Sequence, residues 1–343
     1  MKKIFSFILA VLLCISLISC TLNKSAEPSN KKENTEEQKL PDKEEKEEEQ
    51  KEENTEKEEF SDYTPLLYKV TDDDGSIIWL FGSIHLGRED MIPLPDYVMD
   101  AYDSADALAV ECNILEMEND LSSQIEFLKP LLYDDGTKIY DHISEELYES
   151  SVEILEENGS YNAFFDYYKP ILWQTLIESF AYERSGLCSD YGIDMNLLNF
   201  ADESGKEILE IESIEFQYGM LTGFSDELQI LLLEEIVDQY GDEESHASLL
   251  SLVEAWCEGN VEGILSSEES DLSDMSAEEI AMYEEYNKAM LVDRNINMAD
   301  FAQTALENDN EVFICVGAAH VVGDGGMADL LEKSGYTIEI IQG

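Results

Sequence analysis

The chain has 343 residues, of which 44% are hydrophobic, so it is long enough for one large domain or two modest ones. It carries 78 acidic and 20 basic side chains, which gives a formal net charge of −58. A surface of this charge repels nucleic acid and anionic lipid headgroups, which argues against DNA or RNA as a binding partner.

Residues 1–19 have the pattern of a secretory signal peptide. Lys2 and Lys3 precede IFSFILAVLLCISLIS, an apolar stretch that is short for a membrane span and lacks a basic flank. It leads into LISC at 17–20, which resembles a bacterial lipobox, where cleavage precedes the cysteine and lipid such as palmitate is attached to it. We therefore expect a lipoprotein held by Cys20 at the extracytoplasmic face of a bacterial cell membrane. An ordinary signal peptide or an N-terminal anchor is the alternative.

The segment 20–60 is predicted to be a disordered acidic tether. Its stretch EEQKLPDKEEKEEEQKEENTEKEE has almost no apolar side chains, so it cannot bury enough surface to offset chain entropy. The folded part is therefore expected at 61–343, as one domain that the tether holds off the membrane.

Three strands and a helix are predicted at the start of that domain. LLYKVTDDDGSIIWLFGSIH predicts two strands around an Asp-Gly turn. Val98, Ala101, Tyr102 and Ala105 then recur at helical spacing. ALAVECN follows as a short apolar strand that ends at Glu111.

The middle of the chain, about 120–300, is predicted to be mainly helical, because segments such as DELQILLLEEIVDQY and MADFAQTALEND are amphipathic. GKEILEI at 205–211 predicts one strand within it. The end returns to a strand, EVFICVG, a helix, GGMADLLEKSG, closed by Gly335, and a last strand, YTIEII, with spacing sufficient for a parallel crossover. The expected fold class is α/β (mixed α+β): a central mixed sheet from strands at both chain ends, with a large helical middle.

One short pattern occurs twice, each time after a predicted strand. IIWLFGSIHLG contains Gly82-x-x-His85, and VFICVGAAHVVG contains Gly317-x-x-His320, so two of the four histidines share one context. If the two strands lie side by side, their C-terminal ends bring His85 and His320 together, where ligand sites are common. The glycines would permit a positive φ or a close approach. Each histidine could instead be a satisfied buried side chain.

Glu111 is the third candidate, because a glutamate that ends a buried strand is costly unless it is paired or binds a metal. Two histidines and one carboxylate are a common ligand set for a catalytic divalent metal with a position open for water. We therefore predict a zinc, manganese or cobalt site formed by His85, Glu111 and His320. Two alternatives stay open, namely Glu111 as the general base and Glu111 at an exposed strand end.

The domain contains three arginines, Arg88, Arg184 and Arg294. Arg88 follows the first motif, and Arg294 begins a helix before the second. Either can bind a carboxylate or polarise a carbonyl, so Arg294 is predicted to stabilise an oxyanion and Arg88 to contact substrate. A surface or structural ion pair is the alternative for both. His142 and His246 lie in acidic, helical segments and are predicted to be surface residues.

The cysteines give little information. Cys112, Cys188, Cys257 and Cys315 form no C-x-x-C pair, which argues against a cysteine zinc site. Cys315 lies in an apolar strand and is predicted to be a buried thiol. Sequence alone does not pair these residues into disulfides.

Together these residues resemble the TraB/GumN family, which includes the Tiki metalloproteases. That family's pattern has paired Gly-x-x-His motifs, a glutamate that closes the strand after the first helix, and an arginine before the second motif. Here it falls on 82–85, Glu111, Arg294 and 317–320. The resemblance extends over about 63–343 and also takes in PLPDYVMDAYDSADALAVE, YGIDMNLLNFADESGKEILEIESIEFQ, EAWCEGN, RNINMADF and VGAAHVVGDGGMADLLEKSGY.

The resemblance implies a fold similar to that of erythromycin esterase-like proteins and ChaN-like haem-binding lipoproteins. It also implies a membrane-anchored, metal-dependent hydrolase that cuts a peptide or protein, with the metal activating a bound water. The alternatives are a lipoprotein that binds haem or metal without catalysis, and a noncatalytic surface adaptor. Asp194, Glu212 and Gln217 also fall on family-like positions, but no role is assigned to them.

Overall fold

The computed structural model describes residues 63–115, 128–268, 272–273, 275–308 and 310–341. The predicted signal peptide, Cys20 and the acidic tether lie outside these residues. Among the helices that are described, none is both long enough and apolar enough to cross a membrane.

A six-stranded mixed sheet forms the centre of the fold, as predicted, with the strand order β4-β3-β5-β2-β1-β6. The four strands β4, β3, β5 and β2 run parallel, whereas β1 is antiparallel to both of its neighbours. Strands from both chain ends therefore meet in one sheet. Their bounds are Leu67–Thr71 (β1), Ile77–Ser83 (β2), Ala107–Val110 (β3), Glu207–Glu210 (β4), Val312–Gly317 (β5) and Thr337–Ile341 (β6).

The predicted Asp-Gly hairpin is confirmed between β1 and β2. Asp72 Oδ1 accepts hydrogen bonds from the backbone N–H groups of Asp74, Gly75 and Ser76, at 2.7–2.9 Å. Gly75 has a φ of +96°, a conformation that side chains with a Cβ rarely adopt. The turn therefore sets the register in which β1 pairs with β2.

The position of β6 differs from the simplest form of a parallel crossover. β6 runs in the same direction as β5, but it pairs with β1 at the far edge of the sheet, with Val70 opposite Ile338. Sites next to β5 are already taken by β2 and β3, two strands with continuous apolar runs that need burial on both faces. The half-exposed β6 fits the edge instead.

The helical middle is confirmed, and the sequence marks where several of its helices begin. Ser144, Ser213, Ser225, Asp242 and Ser276 each accept a hydrogen bond from the backbone of the first turn. The α-helices are Asp96–Ser104 (α1), Glu145–Glu157 (α2), Pro170–Arg184 (α3), Ile193–Ser204 (α4), Ile214–Gly223 (α5), Asp226–Gln239 (α6), Glu243–Cys257 (α7), Val261–Glu268 (α8), Ala277–Asn287 (α9), Asp293–Glu307 (α10), Ala318–Val321 (α11) and Met327–Lys333 (α12).

Shorter helical turns connect these elements. A π-helix, Lys288–Val292, joins α9 to α10. Gly335, with a φ of +102°, follows α12 and confirms the predicted end of that helix. The 3₁₀ turns are Glu89–Met91, Lys129–Leu131, Ile139–Asp141, Phe165–Tyr167 and Ser189–Tyr191.

The core lies on the inner strands and fixes their ends. Phe81 of β2 and Phe313 of β5 are fully buried, with ring centroids 5.7 Å apart. Trp256 of α7 packs on Phe81, and its indole N–H donates to the carbonyl of Gly82 at 2.7 Å. A helix of the middle layer is thereby bound to the strand end that carries the first histidine motif.

Candidate functional site

The two Gly-x-x-His motifs lie at the same edge of the sheet. β2 and β5 are adjacent and parallel, with Ser83 opposite Gly317, so His85 and His320 follow side by side. β3 is the other neighbour of β5, and Glu111 follows its last residue. The prediction that these strands meet is confirmed, and all three side chains are more than 90% buried.

The first motif glycine is required for a close approach. A Cβ on Gly82 would lie 2.9 Å from the Cα of Ala318, at the start of the second motif. At Gly317 a Cβ would make only ordinary contacts, 3.4 Å from Glu111 Oε1 and 3.6 Å from His320 Cδ2. The two glycines have negative or extended backbone angles, so close packing, not a positive φ, explains the first one.

Glu111 is held on every side by hydrogen-bond donors. Its Oε2 accepts from Arg294 Nη2 at 2.5 Å and from Gln217 Nε2 at 3.2 Å. Its Oε1 accepts from the backbone N–H of Gly317 at 2.8 Å, with His320 Nε2 at 4.0 Å. Burial alone would raise the pKa of Glu111, but Arg294, the two histidines and that N–H hold it well below its usual range. Glu111 is therefore a carboxylate at any physiological pH.

Arg294 binds two carboxylates at once and is only 1% exposed. Besides Glu111, it donates from Nε and Nη2 to Glu212 at 2.8–3.1 Å, and from Nη1 to the carbonyl of Met290 at 3.2 Å. Met290 lies in the π-helix that precedes α10, a feature common at functional sites. These bonds hold Glu111 and Glu212 in place, and the oxyanion role of Arg294 stays a prediction.

Gln217 completes this buried network. Its Nε2 donates to Glu212 at 2.9 Å as well as to Glu111, so one amide and one guanidinium join the same two carboxylates. The backbone N–H of Glu212 also donates to the carbonyl of Glu111 at 2.8 Å. Two acidic groups held this close need Arg294 between them, because like charges repel strongly in a buried site.

His320 is held in one tautomer by Asn295. Asn295 donates from Nδ2 to the carbonyl of Gly325 at 3.0 Å, which turns its Oδ1 to His320 Nδ1 at 2.6 Å. An amide oxygen only accepts, so Nδ1 carries the proton and Nε2 keeps a lone pair. Burial, with Arg294 nearby, lowers the pKa of His320 to about 3, so this imidazole is neutral at neutral pH.

His85 has a carboxylate where His320 has an amide. Its Nδ1 lies 2.8 Å from Asp194 Oδ2, in the first turn of α4. Burial acts to lower the pKa of His85, but Asp194 and Glu111 more than offset it, and the pKa is raised above its ordinary value. The two matching motifs thus contain histidines of opposite acid–base character.

The position of Asp194 follows from how α4 joins the first motif. The N–H of Ile193 donates to the carbonyl of Ile84 at 2.9 Å. A Cβ on Gly192 would lie 2.3 Å from the carbonyl oxygen of His85, so only glycine fits there. The helix start is therefore fixed directly against the His85 backbone, which aligns Asp194 with the ring.

A small cavity lies between these side chains. Its volume is about 20 Å³, and its wall includes Ser83, His85, Glu111, Asp194 and the thiol-bearing Cys315. Oδ1 of Asp194 is buried and has no hydrogen-bond partner among the described residues. The wall also includes apolar side chains such as Val110, Ile114 and Leu198, and a cavity of this size holds about one water molecule.

The candidate metal-ligating side chains at this sheet edge meet the requirements of a metal site only in part. Histidine ligands usually bind a carboxylate or carbonyl through the second nitrogen. His320 does so through Asn295, whereas His85 Nδ1 lies 2.8 Å from Asp194 but outside hydrogen-bond geometry. Glu111, however, already accepts hydrogen bonds on both oxygens. Within the described ranges, no group of three or more His, Cys, Asp or Glu side chains is close enough together to hold an ion. The predicted three-ligand set is not assembled in this arrangement, so metal binding stays a prediction.

Some residues singled out from the sequence lie apart from this network. Arg88 pairs at the surface with Asp90, Nε to Oδ1 at 3.0 Å. His142 is half-buried and stacks on Tyr133 with centroids 4.1 Å apart, so it is less exposed than predicted. His246 is exposed, as predicted. The four described cysteines, Cys112, Cys188, Cys257 and Cys315, are free thiols, and Cys315 is buried.

Sequence reasoning missed the partners of the predicted residues. Asp194, Glu212 and Gln217 were noticed only as family-like positions, and Asn295 was not singled out at all. The available signal was weak: Asn295 follows Arg294 directly, and Asp194 lies in the first turn of a helix that begins after a glycine. Neither pattern alone indicates contact with a histidine.

The chain belongs to the TraB/PrgY/gumN family, whose model matches residues 66–340. It is similar to a protein from Escherichia coli (strain K12) called "Uncharacterized protein YbaP", with 25% identity over 256 residues that cover 74% of this chain and 86% of the relative. A protein of the same name from Shigella flexneri matches equally. No solved structure matches the chain. The predicted family is confirmed.

Proposed function

We propose that the chain is a hydrolase, with a peptide or protein as substrate, and that the strand-end cavity is where its water is activated. The observation that carries this proposal is the His85–Asp194 contact on a small cavity with room for one water. A histidine whose Nδ1 faces a carboxylate presents Nε2 as the base, an arrangement that hydrolases use repeatedly. The choice of a peptide substrate is supported by the resemblance to Tiki-like peptidases.

His85 is the proposed general base. When its Nε2 takes a proton from water, the new positive charge is stabilised by Asp194 at 2.8 Å and by the permanently ionised Glu111. His320 stays neutral and keeps a lone pair on Nε2, but it does not line the cavity, so its proposed part is to accept a hydrogen bond from a substrate N–H. Arg294 and Gln217 position Glu111 and are therefore positioning residues.

The cleavage assay described below also tests whether the predicted divalent cation takes part. If bound, it would be held by the Nε2 atoms of His85 and His320, and it would supply Lewis-acid activation of the water.

The test is cleavage of a peptide library by the full-length protein in detergent, with and without a chelator and with zinc, manganese or cobalt added. His85→Gln should lower the rate by about 10²–10⁴-fold, the usual contribution of a general base. His142→Gln is the matched control and should keep wild-type activity, because His142 lies outside the network. Activity that survives His85→Gln would overturn the role of His85, and failure to cleave any peptide would overturn the substrate class.

We also propose attachment to the membrane through lipid on Cys20, at the extracytoplasmic face. The support is the sequence alone, namely the LISC pattern after an apolar stretch. Cys20→Ala should abolish lipid labelling and leave the protein uncleaved, or release it if another peptidase removes the signal. Labelling and processing that match the wild type would contradict lipidation at this residue.

A further inference from the structure

A second, larger cavity lies in the helical middle, between α3, α6 and α7. Its volume is about 240 Å³, near the lower end of the range for small-molecule pockets. It shares no wall residue with the strand-end cavity. One part of its wall is apolar, with Leu232, Ile236 and Leu249.

The wall also carries a deeply buried acid, Glu178 of α3. It is 3% exposed, and its two oxygens accept hydrogen bonds from Tyr182 Oη at 2.9 Å and from Gln174 Nε2 at 3.0 Å. Burial raises the pKa of Glu178 to about 8, and those two hydrogen bonds lower it only partly. Among the described residues, no lysine or arginine lowers the pKa of Glu178, so no neighbouring positive charge stabilises its carboxylate form.

Two further features make the cavity attractive to a cation. Glu235 of α6 is a second acid in its wall and is 7% exposed. Arg184, the one basic side chain of the wall other than His246, is solvent-exposed, and its guanidinium lies over the ring of Tyr240 at 5.0 Å. The chain as a whole has a charge of −58, which raises the local concentration of cations.

We propose that this cavity binds a small ligand that carries an aliphatic amine on a short apolar body. The ammonium would lie against Glu178 and Glu235, and the hydrocarbon part against Leu232, Ile236 and Leu249. A neutral ligand of the same shape would gain the apolar contacts alone. An anion would meet two buried acids and be rejected. The inference is independent of the proposed hydrolase, because it uses none of the strand-end residues.

Binding is coupled to the ionisation of Glu178. An ammonium beside the carboxyl group favours its charged form, so the ligand displaces the proton that Glu178 holds at neutral pH. Below about pH 8 the affinity should therefore fall by up to about tenfold for each pH unit, as one proton is taken up per ligand released. The other titratable or charged groups that face the cavity are Tyr182, Arg184, Glu235, Asp242, Glu243 and His246.

The first measurement uses the wild-type, full-length protein in detergent. 1-Pentylamine, 1-pentanol and pentanoate are titrated by calorimetry between pH 6 and pH 9, in buffers of different ionisation enthalpy. The amine should bind at least tenfold more tightly than the alcohol at pH 8, pentanoate should not bind, and about one proton should be released at neutral pH. Equal binding of amine and alcohol, or binding of neither, would overturn the proposal.

The second measurement compares two variants of the same helix. Glu178→Gln keeps the size and hydrogen bonding of the protonated acid but cannot ionise, so it should weaken amine binding at pH 8 at least tenfold and abolish the proton release. Glu183→Gln removes one exposed charge and should bind as the wild type does. A Glu178→Gln protein that binds the amine with unchanged affinity and proton release would show that the ligand lies elsewhere.

Discussion

The two histidine motifs share the pattern Gly-x-x-His but differ in the chemistry that the fold gives them. His85 follows an extended strand end and faces a carboxylate, Asp194, whereas His320 lies in the short helix α11 and faces an amide, Asn295. The pKa of His85 is raised and that of His320 is lowered to about 3. The comparison teaches that a motif identifies a position, whereas its partner on another helix decides its acid–base role.

The largest effect is expected from removing Arg294, which lies near both histidines and lowers the pKa of each. Arg294→Met would leave Glu111 and Glu212 buried and unpaired, which should cost about 3–5 kcal/mol of unfolding free energy. Urea unfolding at pH 7 measures this. Arg88→Met removes an exposed pair with Asp90 and should cost less than about 1 kcal/mol. Equal costs for the two variants would contradict the buried network.

The two histidines should also have opposite effects on the unfolding free energy as the pH changes. His320 is neutral in the folded state down to about pH 3 but binds a proton near pH 6.5 when unfolded, so its contribution is present above pH 6.5 and lost as the pH falls. His85 acts in the opposite direction: its raised pKa contributes stability that is lost as the pH rises above 6.5.

The measurement is the difference in unfolding free energy between the wild type and His320→Gln, taken at several pH values. This difference cancels the opposing contribution of Glu178, whose raised pKa favours the folded state at low pH. Between pH 4.5 and 6.5 it should change by about 1.4 kcal/mol per pH unit, the effect of one proton. A flat difference would mean that His320 is protonated in the folded state.

Much of the fold could be predicted because it depends on local patterns. The strands β2, β3 and β5 are continuous apolar runs, and the Asp-Gly turn between β1 and β2 is a strong local signal. The sequence also predicted that the two motifs converge, because neighbouring parallel strands end at the same edge of the sheet. The edge position of β6 did not follow, because a crossover fixes the direction of a strand but not its neighbour.

The candidate site was predicted less completely than the fold. His85, Glu111 and His320 were selected by residue type and position, and all three are buried at one sheet edge. The sequence could not show that Arg294 turns onto Glu111 and Glu212, because that contact joins residues far apart in the chain through long side chains. The oxyanion role of Arg294 therefore stays a prediction.

The finest test of the comparison exchanges the two partners. In Asp194→Asn, His85 loses the carboxylate that raises its pKa, so the pKa should fall and the acid limb of any hydrolytic activity should move to lower pH. In Asn295→Asp, His320 gains a carboxylate at 2.6 Å from Nδ1, so its pKa should rise from about 3. NMR titration of the ring signals measures both changes without a substrate. Asp202→Asn provides the control in the same helix as Asp194, because Asp202 is exposed and undergoes the same change from carboxylate to amide. If the two histidines keep their original pKa order in the double variant Asp194→Asn/Asn295→Asp, burial and Arg294, not the partners, set the difference between the motifs.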